Sequence, residues 1–251
     1  MITVASFGGG TDSTAMLIGM WLRKEPVDLI LFADTGGEKP HTMAHIERFS
    51  YWLALHGLPT ITIVRSPNVT LEEDVLRRKT LPSIAFGFKT CSQRFKAEPC
   101  EKYLNNWQPA KEAWARGEKI TMLIGYEYGE ERRAKNYDDE KKTVRYPLIE
   151  WQWDRSKCVG VNAGQSFNVQ KSACFFCPSS KAHEVKQLAK QYPELAARAV
   201  AMEKNAVLTD IKGLGRNYSW AELLEFDEKQ VKMFDDDWST AEVPCGCYDG
   251  S

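Results

Sequence analysis

No apolar run in these 251 residues reaches the roughly 18 needed to cross a bilayer as a helix, so no transmembrane segment is expected. The opening Met1-Ile2-Thr3-Val4-Ala5 lacks a basic stretch ahead of an apolar one and runs at once toward glycine, so no export signal is expected and the expected location is the cytoplasm. Neither sign of charge is in excess: 33 Lys and Arg stand against 34 Asp and Glu, so net charge points to no class of partner. A nucleic acid acceptor is conceivable through Arg77, Arg78 and Lys79, but three neighbouring basic residues without an overall basic excess also suit plain solvated surface. Histidine is scarce; His41 opens a helix pattern, and His45, His56 and His183 have no partner evident in sequence. No internal repeat or low-complexity linker is visible. In a chain without an export signal, seven cysteines are expected as thiols, metal ligands or redox groups, not as a disulfide framework.

What is present begins at Ser6-Phe7-Gly8-Gly9-Gly10-Thr11-Asp12-Ser13-Thr14, which follows an apolar strand-like start and leads into a helical pattern over residues 14–24. Consecutive glycines let backbone N–H groups turn toward a phosphate, and the helix directs its positive end at the same place. Buried strands are expected at 28–33, 60–64 and 120–124, with helices at 41–56, 71–76, 94–106, 181–190, 193–204 and 219–226. The fold class is therefore α/β, a parallel twisted sheet with helices on both faces and a C-terminal helical, cysteine-containing extension. A core over 1–149 and an appended subdomain over 150–251 are the expected division. Both the glycine loop and Asp34-Thr35-Gly36-Gly37 fall at carboxyl ends of strands, where such sheets bind ligands, so the two loops are expected to face one ligand. Residues 127–145 are nearly all charged or small and polar, which suits either a solvated loop or a lid over the ligand. Trp151 and Trp153 alternate as in a strand, with packing rather than base stacking as the expected role.

Several segments together resemble the phosphoadenosine phosphosulfate reductase family of the PP-loop, or adenine nucleotide α-hydrolase, superfamily. Ser6 to Thr14 is similar to its S-x-S-G-G-K-D-S loop, and Asp34-Thr35-Gly36-Gly37-Glu38-Lys39-Pro40-His41-Thr42 to its D-T-G-x-x-x-P-E-T segment. Cys91-Ser92-Gln93-Arg94-Phe95-Lys96-Ala97-Glu98-Pro99 resembles C-x-x-R-x-K-x-x-P, and Tyr146-Pro147-Leu148-Ile149-Glu150-Trp151 resembles Y-P-L-x-x-W. The resemblance implies a PP-loop fold and an adenine nucleotide, ATP or a relative, held by Ser6, Gly8, Gly9, Gly10, Thr11, Asp12, Ser13, Asp34, Thr35 and Gly36. Asp12 and Asp34 are candidates to hold Mg²⁺ or, alternatively, only a helix cap or a turn. Thr11 stands where many relatives have lysine, so another group must supply positive charge, with Arg94, Lys96, Arg132 and Arg133 as candidates. Glu127 stands where relatives often keep an arginine.

Lys171-Ser172-Ala173-Cys174-Phe175-Phe176-Cys177-Pro178 carries a C-x-x-C of the kind that presents two thiolates to one centre. The resemblance places Cys91 at a cluster-binding position of the family, with Thr90 replacing its usual neighbour. Cys91, Cys174 and Cys177 then supply three thiolates to a [4Fe–4S] cluster or to zinc, with Cys247 as fourth ligand; a redox dithiol is the remaining alternative. Cys245 is alternatively a nucleophile on a C-terminal tail. Cys100 and Cys158 read as buried spares.

Asp12-Ser13 after the glycines favours family members that cleave ATP to AMP and pyrophosphate, activating an acceptor for sulfur transfer, with Asp12, Arg94 and Arg132 in catalytic roles. The partners implied are the nucleotide and a sulfur donor. The alternatives are a sulfonucleotide reductase using Cys245 and a thiol reductant, and a nucleotide-binding accessory subunit without turnover.

Overall fold

The computed structural model describes residues 1–82, 84–85, 88–135, 137–208 and 211–231. In chain order the elements are β1 (Thr3–Ser6), α1 (Thr11–Arg23), β2 (Leu29–Asp34), α2 (Pro40–Leu55), β3 (Ile61–Arg65), α3 (Leu71–Arg78), β4 (Ile84–Ala85), β5 (Phe88–Lys89) and α4 (Thr90–Ser92). A π-helical turn (Gln93–Ala97), α5 (Glu98–Leu104), α6 (Gln108–Ala115), β6 (Ile120–Ile124), a 3-10 turn (Glu131–Arg133), β7 (Lys142–Arg145), α7 (Pro147–Glu150) and α8 (Arg155–Gly164) follow. The last three are α9 (Ala182–Gln191), α10 (Pro193–Asn205) and α11 (Trp220–Val231). Two compact units share these elements, one from residues 1–67 and 94–173, the other from 68–93 and 174–251, so each draws on both sides of the 149/150 division. Among the described residues, no helix is long and apolar enough to cross a membrane.

The first unit is built on a five-stranded parallel sheet ordered β3-β2-β1-β6-β7. Period-two alternation gives the sheet two apolar faces. Ala5, Ile30 and Phe32 pack with Ala15 to Ile18 of α1, Ile46, Phe49 and Leu53 of α2, and Cys158 of α8. Their strand neighbours Val4, Leu29, Leu31 and Ala33 pack on the opposite face with Leu104 of α5 and Ala110 and Ala113 of α6. Helices thus cover both faces, as the α/β reading expects. Since β2 and β3 extend the sheet to one side of β1, while β6 and β7 extend it to the other, the chain reverses direction between β1 and β6. The crevice beyond the carboxyl ends at such a reversal is where open α/β sheets bind ligands.

Three local expectations differ from the structure. The charged stretch over 127–145 ends in a strand: β7 pairs with β6 from Ile120↔Lys142 to Leu123↔Arg145. Asp139 Oδ1 accepts the Lys141 and Lys142 amides, and Asp138 Oδ1 accepts that of Val144, so acidic side chains shape the entry into a half-buried edge strand whose own charges suit an edge position. Trp151 and Trp153 are not in a strand; they flank Gln152, which is left-handed at φ 56°, and they pack against each other at 5.1 Å between ring centroids. Residues 155–164, where no helix is among those expected, form α8, capped where the Asp154 side chain accepts the Lys157 amide at 2.8 Å. Pro99 lacks the N–H that would bond to the Phe95 carbonyl, which accounts for the π-helical widening just before α5.

The second unit holds the β4–β5 hairpin and helices α3, α9, α10 and α11. A reciprocal capping box between Thr70 and Glu73 starts α3. Phe175 and Phe176 are buried edge to face, with the Arg198 guanidinium over Phe175. Glu203 of α10 is 5% exposed and is the hub of the 213–221 segment: Oε2 accepts the amides of Leu214 and Trp220, and Oε1 accepts the Ala221 amide and the Ser219 hydroxyl.

Candidate functional site

Beyond Ser6 the strand continues for one residue, the Phe7 amide donating to the Leu31 carbonyl at 2.8 Å, and then turns through the glycines. Gly9 has φ +70°, and a Cβ there would meet Thr42 Cγ2 at 3.2 Å, so the turn requires glycine on conformation and on space. Helix α1 begins at Thr11, three residues ahead of the expected start. Its N-cap is Gly10, in an extended conformation and without a side chain to offer. The amides of Thr11, Asp12 and Ser13 therefore have no acceptor within the helix, and Thr14 is the first to bond, to the Gly10 carbonyl at 3.1 Å. Ser13 closes the loop from inside, its hydroxyl donating to the Gly10 carbonyl and accepting the Gly8 amide, both at 3.2 Å. Three open donors on the positive end of a 13-residue helix, beside a glycine turn, form a cradle for an anion. The cradle lies at the reversal between β1 and β6. Gly125, just past β6, comes so close that a Cβ would lie 3.1 Å from both N and Cα of Ser13.

Ionic side chains flank the cradle. Arg155, the first residue of α8, places Nη1 2.8 Å from Asp12 Oδ1 and donates from Nη2 to Asp12 Oδ2 at 3.2 Å, while its Nε lies 3.0 Å from Glu127 Oε2. Asp12 Oδ1, Glu127 Oε2 and Glu130 Oε2 are buried and accept no hydrogen bond, so for the first two the guanidinium charge is the compensation. Burial raises the Asp12 carboxyl above its ordinary value against the pull of Arg155, and pushes Glu127 up to about 7, with Arg155 opposing and Asp12 and Glu130 adding to the rise. Arg133 pairs with Glu130 at 2.7 Å and lies over the Tyr126 ring, which stacks on Tyr146.

His45 supports the cradle from α2. The Thr14 hydroxyl donates to the Gly10 carbonyl at 2.8 Å and has one proton to give, so at 2.9 Å it accepts from His45 Nε2–H. Burial lowers the His45 imidazole from 6.5 to about 4, with Arg48 adding to the effect. The unfolded chain then binds one more proton than the folded chain between pH 6.5 and 4, and stability falls as pH drops through that window. Urea midpoints measured from pH 7.5 to 4.5 should decline in the wild type and decline less in His45→Gln; identical slopes would assign the decline to other groups.

The other expected residues are placed as follows. Asp34, 5% exposed, accepts the Gly36 amide at 2.7 Å and pairs with Arg65, contacts that hold the turn after β2. Thr35 is buried, its hydroxyl donating to Glu38 and accepting the Gly37 amide. Lys96 reaches the same loop through Glu38 at 3.9 Å. Arg94 is exposed with its guanidinium over Phe95, and Arg132 is exposed in the 3-10 turn. The guanidinium beside Asp12 is that of Arg155, a residue outside the motifs that point to the site.

Cys91, Cys174 and Cys177 are half-buried and belong to the same compact unit, and a turn brings the Cys177 amide to the Cys174 carbonyl at 3.1 Å. Cys245 and Cys247 lie outside the described residues. Among the described residues, no group of three or more His, Cys, Asp or Glu is placed to hold a metal ion, which applies to the three cysteines and to Asp12, Glu127 and Glu130 alike. Cys158 is buried and pushed up to about 12, and burial takes Cys100 to about 11, as suits inert thiols.

No known protein-family model matches the chain. It is 21% identical over 238 residues to an uncharacterized protein of Methanocaldococcus jannaschii, covering 87% of this chain and 51% of that one, so the chain spans about half the length of the curated relative it matches. Among solved structures it is similar to the U34-tRNA thiolase NcsA from Methanococcus maripaludis with its [4Fe-4S] cluster, at 14% identity and a TM-score of 0.41, covering 96% of this chain and 78% of that one. A likeness at that level says nothing of what this chain binds or transforms.

Proposed function

We propose that the chain is a PP-loop enzyme that cleaves ATP between its α and β phosphates to activate an acceptor for sulfur transfer. The observation that carries this reading is the uncapped start of α1 against Gly125, a row of open amides at the reversal of a parallel sheet with Asp12 and Arg155 beside it. In the proposed reaction an acceptor oxygen attacks the α phosphorus, the bond to the bridging oxygen breaks, and pyrophosphate leaves with the electron pair. The amides of Thr11, Asp12 and Ser13 are suited to hold the charge that gathers on the phosphates. In this reading Glu127 and Tyr126, just past β6, limit water near the activated ester. Cys91, Cys174 and Cys177 are not gathered round one metal position, but as thiolates they have, with Cys247, the ligand chemistry of an iron–sulfur centre, which would bind sulfur, or of a zinc centre, which would brace the fold; iron, sulfide and zinc counted per chain after anaerobic purification decide between them.

The test follows the nucleotide. The full chain incubated with ATP and an acceptor is expected to release pyrophosphate as the acceptor is adenylylated, and AMP as the activated oxygen is displaced, with Asp12→Asn at least tenfold slower. ADP and phosphate as products, or no binding of ATP, would overturn the reading. Tight binding of ATP that stays intact with every acceptor tried would favour a nucleotide-binding accessory subunit.

A further inference from the structure

The loop at Gly8 to Ser13 carries no cation of its own, since Thr11 opens α1. We propose that Arg155 is the phosphate-binding cation of this site, a guanidinium held beside the first turn of α1 by Asp12 and Glu127. The inference rests on the nucleotide reading above and adds a residue and a specificity to it.

Three observations carry it. The first is delivery. Helix α8 is fixed against α1 by Asn162, 1% exposed, whose Nδ2 donates to the Thr11 carbonyl at 3.0 Å, and by Cys158, buried in the core that α1 shares. The Asp154 cap sets where α8 starts, so its first residue, Arg155, faces the start of α1. The second is geometry. A guanidinium has five N–H donors; Nε faces Glu127, and Nη1 and Nη2 each turn toward one oxygen of Asp12, so one N–H of each Nη remains, on different edges of the group. The third is exposure. The Arg155 side chain is 42% exposed while Asp12 and Glu127 are 20% and 14% exposed, so the arginine is the member of the group that solvent, or a ligand, reaches most readily. With the carboxylates holding the guanidinium in place, the remaining Nη2 N–H can donate to a phosphate oxygen without displacing Asp12.

The specificity follows from charge. Arg155 should favour ligands with phosphates over the same nucleoside without them. Binding of ATP and of adenosine to the full chain, measured by calorimetry with thermal melting alongside, tests this. The expected result is that Arg155→Ala weakens ATP about thirtyfold or more and leaves adenosine within twofold, with Arg155→Lys falling between wild type and Arg155→Ala for ATP. If wild type binds ATP and Arg155→Ala binds it within threefold of wild type, the inference fails and the nucleotide reading stands. Equal losses for ATP and adenosine together with a lower melting temperature would make Arg155 only a brace between α8 and α1, which also overturns it. A wild type that prefers adenosine to ATP, or binds neither, removes the nucleotide reading itself. Should Arg155→Ala fail to fold, Arg155→Lys, which keeps the charge and loses the fork, reads the same ATP-to-adenosine difference.

Discussion

Glu203→Ala is expected to lower the free energy of unfolding by about 4 kcal/mol, the largest stability loss of any single substitution considered for this chain. Glu203 accepts from three backbone amides, Leu214, Trp220 and Ala221, at 2.6 to 3.1 Å, and from the Ser219 hydroxyl, all at the start of α11 or in the turn before it. Ser219 in turn caps the helix by accepting the Glu222 amide at 3.2 Å. Truncating the carboxylate strips the acceptor from every one of these donors at once, in a place where Trp220 is 1% exposed and solvent has little access. Each stranded buried donor costs about 1 to 3 kcal/mol, and hydrogen bonds to a charged acceptor are among the stronger ones. Glu203→Gln keeps one acceptor oxygen but turns an NH₂ toward amide N–H groups, so about half the loss is expected. Urea unfolding followed by far-ultraviolet circular dichroism measures both, and a loss below about 1 kcal/mol for Glu203→Ala would mean that other groups or water replace the carboxylate.

Glu203 also shows where sequence reading stops. The parallel core was legible because β1, β2, β3 and β6 are short apolar runs bounded by turn residues, a local signal that the fold leaves intact. The glycine cradle was legible for the same reason, its chemistry residing in nine consecutive residues. β7 was hidden because Lys142-Thr143-Val144-Arg145 is an edge strand, with one hydrogen-bonded side and charges allowed on the other, so its composition matches the polar run before it. α8 was hidden by Gly160 and Gly164 and by β-branched Val159 and Val161, all poor helix formers; burial of Cys158 and Asn162 outweighs that local preference. The Asp154 cap was the available signal. Arg155 and Glu203 were out of reach for another reason: the Arg155 pair with Asp12 spans 143 positions, and a charged residue in sequence gives no sign of which carboxylate it will meet. Arg94, Lys96, Arg132 and Arg133 stand near recognised motifs in sequence, whereas the sheet topology brings Arg155, far from all of them, to Asp12.

Gly125→Val should abolish ATP binding over the measurable range, at least a hundredfold weaker, or about 2.7 kcal/mol. Gly125 is not in the left-handed region, so the constraint is contact and not conformation. A single Cβ at this position would sit 3.1 Å from N and Cα of Ser13 and 3.2 Å from the carbonyl carbon of Asp12, over the peptide that carries one of the three open amides. Backbone on both sides leaves no flexible side chain to give way: β6 is held by its register with β1, from Thr3↔Thr121 to Ser6↔Ile124, and α1 is fixed by the buried residues Ser13 to Met20. The first turn of α1 must therefore move away, or the added methyls must cover the amide an anion would use. Alanine at this position should show the same defect in milder form, since a shift of a few tenths of an ångström relieves one methyl, whereas the two γ carbons of valine extend the clash along the helix. Gly160→Ala is the matched control, because open space surrounds that position in α8 and alanine favours a helix over glycine by about 1 kcal/mol. ATP affinity measured by calorimetry, with melting temperatures to confirm folding, gives the outcome. A folded Gly125→Val protein that binds ATP as the wild type does would put the nucleotide somewhere other than the reversal between β1 and β6, and with it the assignment of Thr11, Asp12, Ser13 and Arg155 would fall.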